Sequence, residues 1–145
     1  MNYTVLKESD LSKIVPLFIR YYNQYENGAW TEKTAAKRIH QVMTREDSYG
    51  LVLWDGAEAA GFAMGYFEQY DDGQAYDLVE IVLAKEYQGK GTGTAFMQEL
   101  ERRVKQMGAL LIQLDSVNDE MHSHFYGKLG YQNCGNLIKK SKFLG

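Results

Sequence analysis

The chain has one cysteine, Cys134, and one proline, Pro16, among 145 residues. A single thiol excludes an intrachain disulfide, and no Cys/His spacing makes a zinc site, so no metal is expected. Positive charge is also short: 16 Lys and Arg face 19 Asp and Glu, a formal net charge of -3. Neutralising a phosphate backbone needs a basic surplus, so nucleic acid is excluded as the main ligand. No apolar run reaches the roughly 18 residues of a membrane helix. Lys7, Glu8 and Asp10 fall where a secretory signal needs an unbroken apolar stretch, so a cytoplasmic protein with no membrane partner is expected. Repeats, low-complexity tracts and linker-like clusters are missing too. What remains, with 45% apolar residues, is enough for one core and one domain over residues 1–145.

Periodicity orders the elements. Leu11, Ile14, Val15, Phe18, Ile19 and Tyr22 recur at helical spacing, and Thr31 opens a second helix through Ala35, Ala36, Ile39 and Val42. Residues 49–54, 59–68 and 76–83 are rich in strand formers. They are separated by Asp55-Gly56 and Asp71-Asp72-Gly73, which are hairpin turn signals. Met97, Leu100, Val104 and Met107 mark a helix that Gly108 stops, and Leu110, Ile112 and Leu114 predict a buried strand parallel to the one before the helix. A last helix spans residues 119–129, ends at Gly130, and is followed by a return strand toward Ile138 and Phe143.

Between strand and helix lies Leu83-Ala84-Lys85-Glu86-Tyr87-Gln88-Gly89-Lys90-Gly91-Thr92-Gly93-Thr94. Three glycines so close together would be costly inside either element, so they serve a close backbone approach. A helix N-terminus carries unpaired N–H groups and partial positive charge, and glycines there make a socket for phosphate oxygens. The spacing fits neither a Walker loop, which needs a glycine five residues before Gly-Lys, nor a dinucleotide fingerprint, which needs a glycine at Thr94.

Gln88-x-x-Gly91-x-Gly93 after an apolar strand, with Phe125-Tyr126-Gly127-Lys128-Leu129-Gly130-Tyr131 further on, resembles the GNAT superfamily of N-acetyltransferases. The resemblance implies an α/β (α+β) fold: a mixed, mostly antiparallel sheet of six to seven strands, about four flanking helices, and a splayed parallel strand pair that admits the cofactor. It implies acetyl-CoA as acyl donor. The amides of Gln88, Gly89, Lys90, Gly91, Thr92, Gly93 and Thr94 would hold the diphosphate. Ile81, Val82 and Leu83 would offer main-chain bonds to the pantetheine arm, and the Leu83 or Val82 amide would polarise the thioester carbonyl. Asn118 or Asp119 would contact the cofactor, the family's asparagine position being filled here by Asp119.

Direct attack by an amine needs a proton acceptor for the amine and a donor for the thiolate. Tyr126 matches the family's tyrosine and is the candidate acid. Glu80, a carboxylate inside an apolar strand, is the leading base. Strand alternation puts Glu80 on one face with Leu78 and Val82, but a bulge would change the parity, so Asp77 and a water-relayed base stay open. Tyr25, Glu26, Trp30, Glu68 and Tyr70 mix aromatic and acidic groups suited to a cationic acceptor. His122 and His124, two apart on a helix, cannot share an ion. Cys134 lacks an activating histidine by spacing. The sequence therefore predicts acetyl transfer to the primary amine of a small molecule or peptide, the alternative being a non-catalytic CoA-binding module. Pairing of exposed terminal strands would make a homodimer.

Overall fold

The structure is a computed structural model that describes residues 1 to 145. The chain forms two compact units, Met1–Asp115 and Ser116–Gly145.

The first unit is one open five-stranded sheet in the order β1-β2-β3-β4-β5. Its strands are β1 (Asn2–Val5), β2 (Ser48–Asp55), β3 (Glu58–Tyr70), β4 (Gly73–Leu83) and β5 (Ala109–Leu114). Neighbours are antiparallel except for the parallel β4/β5 pair. The helices α1 (Leu11–Tyr25) and α2 (Glu32–Met43) precede the meander, and α3 (Thr92–Gln106) makes the crossover between β4 and β5. Thr31 caps α2 by accepting the Thr34 N–H at 3.1 Å, as its place before the apolar repeat predicts.

Both faces of the sheet are covered, which is why β2 and β3 read as nearly unbroken apolar runs. Ile14 and Phe18 of α1 and Ala35 and Ile39 of α2 close on Val52, Phe62, Met64 and Val82 in one buried cluster. Gly61 and Ala63 alternate with Phe62 and so face the other way, where Phe96 of α3 comes within 3.3 Å of the position a Gly61 Cβ would occupy. Each fully buried Phe or Ile contributes about 1.5–3 kcal/mol.

Two expectations are corrected. The sheet has five strands rather than six or seven. Residues 2–5 add a first strand that periodicity did not reveal, whereas no strand follows Gly130. There Leu137 and Ile138, then Phe143 and Leu144, flank the stretch Lys139-Lys140-Ser141-Lys142 and stay 71–97% exposed. β5 is likewise not a buried strand: it is the sheet edge, and Leu110 and Leu111 are 66% and 53% exposed. Apolar residues at an edge can be called core from sequence only if a further strand covers them.

The second unit holds α4 (Glu120–Lys128), capped by Asp119, whose Oδ1 accepts the His122 N–H at 2.8 Å. Gly130 follows the helix at φ 92°, a left-handed conformation that suits glycine.

A register shift between Met64 and Gly65 pairs Met64 with Glu80 but Gly65 with Leu78, which makes Val79 the extra residue of a β-bulge. Gly65 is essential to that packing, because a Cβ there would sit 2.0 Å from the Asp77 carbonyl oxygen. Gly65→Ala is expected to lower stability by about 2 kcal/mol or more in denaturant titrations, whereas a shift below about 0.5 kcal/mol would mean that the bulge yields freely.

Candidate active site

The bulge decides which carboxylates share a face. Directly paired residues on neighbouring strands point the same way, so Glu80 lies with Met64 and Asp77 lies with Tyr66, and Met64 and Tyr66 are two apart on β3. Asp77 and Glu80 therefore both project to the α1/α2 face. Leu78, paired with Gly65, turns to the other, and the expected grouping of Glu80 with Leu78 is corrected.

Glu80 is held at both oxygens. The Tyr22 hydroxyl donates to Oε1 at 2.5 Å, and Arg38 Nη2 stands 3.6 Å from Oε2. Burial pushes its pKa up, while Tyr22 and Arg38 pull it back by favouring the charged form. Asp77 is held less tightly. Its Oδ2 is shut off from solvent with no hydrogen-bond partner. Burial first, then the neighbouring Glu68 carboxyl, push its pKa up to about 6, against the polar groups of Gln113 and Tyr66. Around this group Gln113 Nε2 donates to the Tyr70 hydroxyl at 2.8 Å, the Tyr70 hydroxyl donates to Glu68 Oε2 at 3.1 Å, and Arg45 lies 3.7 Å over the Tyr66 ring. Arg38, Tyr66 and Gln113 escaped sequence reasoning. Each is ordinary on its own element, and only the register joins them to a carboxylate.

The parallel β4/β5 pairing ends at Leu78/Leu114, five residues before β4 ends. Beyond that point β4 has β3 on one side and no strand on the other. The Ala84 N–H bonds the Ala60 carbonyl at 2.8 Å, so hydrogen-bonded pairs alternate back through Phe62/Val82. The Ile81 and Leu83 N–H groups consequently point to the open side, while those of Val82 serve the β3 ladder. Of the three expected main-chain partners, Ile81 and Leu83 are free to act and Val82 is not. The Leu83 carbonyl already accepts from Gln88 Nε2 at 2.9 Å, which leaves its N–H as the open donor.

Past β4 a 3-10 turn (Lys85–Tyr87) leads to Gly89 at φ 73° and Gly91 at φ 82°. No atom lies within 4 Å of where a Cβ on either would stand. Gly91 is the N-cap of α3 and has no side chain to cap with, and the first amide to find a helical acceptor is that of Ala95, 3.0 Å from the Gly91 carbonyl. The N–H groups of residues 92–94 are thus open at the positive end of a 15-residue helix. An unpaired strand edge that runs into an unpaired helix N-terminus fits an extended thiol arm ending in a diphosphate, and no groups of His, Cys, Asp or Glu that could hold a metal accompany it.

In the second unit Tyr126 stacks edge-on against Phe125 at 5.0 Å and Tyr131 at 5.7 Å. Asp119 is committed to capping α4 through its Oδ1, which also lies 2.7 Å from His122 Nδ1, while Asn118 precedes the cap and is exposed. The acceptor candidates divide into two groups. Glu68 and Tyr70 join Asp77, near the start of β4. Tyr25 ends α1 and Glu26 and Trp30 follow it, and Lys85, just after β4, approaches the Tyr25 ring at 5.4 Å. Trp30 packs on Phe18 with ring centroids 4.9 Å apart.

These features have counterparts in known proteins. The model of the acetyltransferase (GNAT) family matches residues 13–131, and the chain belongs to that family. The uncharacterized N-acetyltransferase YdgE of Bacillus subtilis (strain 168) is 27% identical over 125 residues, 79% of each chain. The crystal structure of a probable acetyltransferase superposes with a TM-score of 0.81 at 17% identity, over 100% of this chain and 99% of that one. Aminoglycoside N-acetyltransferase AAC(6')-Iy, solved in complex with CoA, gives 0.75 at 13% identity, over 97% and 93%. At such identities the structural likeness speaks for the fold alone.

Asp77 gives a pH test. Its native carboxyl binds a proton more tightly than the unfolded one, so its contribution to stability is complete below about 3.8 and lost as pH rises through about 6. Asp77→Asn is expected to be more stable than the wild type above pH 6.5, by about 1 kcal/mol once solvent screening of this half-buried group is allowed for, with the gain gone below pH 4. Thermal unfolding across pH measures this, and a gain independent of pH would contradict the burial of the charge.

Proposed function

We propose that this GNAT-family acyltransferase moves the acetyl group of acetyl-CoA to a primary amine of a small molecule or peptide by direct attack in a ternary complex, in the cytoplasm. The observation that carries the reading is the continuity of open amides from Ile81 and Leu83 on the β4 edge to residues 92–94 of α3. Residues 88–94 hold the diphosphate. The pantetheine arm lies along Ile81 and Leu83, and the Leu83 N–H polarises the thioester carbonyl from a fixed direction. Acetyl-CoA supplies the activated acyl group.

Tyr126 donates the proton to the leaving thiolate, an assignment supported by its place in the Phe125-to-Tyr131 motif. The amine's proton goes to a carboxylate on the α1/α2 face, directly or through water. Asp77 suits this better than Glu80, because one of its oxygens is free of hydrogen bonds whereas both oxygens of Glu80 are engaged. With Glu68 and Tyr70 beside it, Asp77 favours a cationic acceptor. The fold shared with an aminoglycoside N-acetyltransferase supports polycationic amines as the first class to try.

Thiol release from acetyl-CoA in the presence of polyamines, aminoglycosides and basic peptides tests the proposal. Amine-dependent release is expected, with kcat/KM falling below about pH 6 as Asp77 takes up a proton. Tyr126→Phe should lower kcat by about 100-fold or more, with little change in KM for acetyl-CoA. CoA binding without release from any amine would make the chain a non-catalytic CoA-binding module instead.

A further inference from the structure

The glycine loop has little packing of its own: around Gly89 and Gly91 there is no neighbour for a side chain to meet, and both take left-handed backbone angles. Such a segment is free to sample many shapes, and a socket made of its amides binds an anion only as well as it is held ready. α3, which buries Phe96, Met97 and Leu100, anchors the downstream end. Something must fix the upstream end.

Two side chains next to the loop do so. Gln88 Nε2 bonds the Leu83 carbonyl at 2.9 Å, tying the loop back to the end of β4. The Tyr87 hydroxyl donates to Asp55 Oδ2 at 2.6 Å, tying it to the β2–β3 hairpin turn 32 residues earlier. The 3-10 turn is closed by the Tyr87 N–H on the Ala84 carbonyl at 3.0 Å and the Gln88 N–H on the Lys85 carbonyl at 3.1 Å. Tyr87 also packs its ring against the edge of the α1/α2 core.

We infer that Asp55 and Tyr87 are positioning residues for the cofactor: their hydrogen bond, together with the Gln88 tie, holds the loop in the shape that binds the diphosphate, so a hairpin turn that does not itself contact the ligand sets its affinity. This rests on the reading of residues 88–94 as a diphosphate socket. A bond to a carboxylate is among the stronger neutral-donor bonds. The phenol stays a donor throughout the working pH range, because the Asp55 bond, then burial, push its pKa up to about 12.

Calorimetric titration with CoA, paired with thermal unfolding of the free protein, tests this in Tyr87→Phe, Asp55→Ala, Asp55→Asn and the Tyr87→Phe/Asp55→Ala double variant. Tyr87→Phe and Asp55→Ala should each raise Kd about five- to tenfold and the double variant no further, because both remove one bond. Asp55→Asn keeps an acceptor oxygen and should retain most of the affinity. In turnover, KM for acetyl-CoA should rise while kcat stays within about twofold. Melting temperatures should stay within about 2 °C of the wild type. Kd within twofold of the wild type in both single variants, or single effects that add in the double, overturns the inference. A wild-type protein that does not bind CoA overturns the socket reading itself, and the inference with it.

Discussion

A β-strand that outlives its neighbour leaves a row of main-chain donors and acceptors without partners, and such groups must be satisfied by something. β4 continues five residues past the point where β5 ends, and the rest of the site follows from this mismatch. The Val79 bulge sits where the parallel pairing with β5 stops. On the other side β3 stays paired to the end, which keeps the open edge straight and its N–H directions fixed. A free loop of the same composition could not offer donors so well oriented.

The bulge also sorts the side chains. By bringing Asp77 to the face that already carries Glu80, it joins two carboxylates that a regular strand would set on opposite faces. Glu80 is clamped by Tyr22 of α1 and Arg38 of α2, which ties both N-terminal helices to the central strand at the site. Removing one partner from this part-buried cluster leaves the others uncompensated, so the cluster braces the two helices on β4. Asp77 has a looser shell and a raised proton affinity, the combination expected of a group that exchanges protons.

Much of this was written in the sequence, at particular places. Thr31, Gly108, Asp119 and Gly130 marked helix ends because caps depend on local backbone chemistry. The turns at residues 55–56 and 71–73 delimited the meander for the same reason. The three glycines after Tyr87 announced a backbone approach, and their spacing with Tyr126 pointed to the family. What escaped depends on pairing between distant segments. The bulge is a property of β3 against β4, so parity put Glu80 with Leu78, and the family resemblance alone set Val82 among the main-chain partners. β1, four residues long, is too short to show a period, and the apolar residues of β5 and of the C-terminal stretch lie exposed although their composition suits burial. The Tyr22–Glu80 bond spans 58 positions, and nothing local to either residue signals it.

The central claim is that open amides of the β4 edge and the α3 N-terminus receive the coenzyme. Amide hydrogen exchange, resolved by residue with and without CoA, tests it most directly. The N–H groups of Ile81, Leu83 and residues 89–94 should exchange quickly in the free protein and slow on adding CoA, while Val82, bonded within the sheet, is slow in both states. CoA that leaves these amides unchanged, or protects Val82 in place of Leu83, would contradict the account.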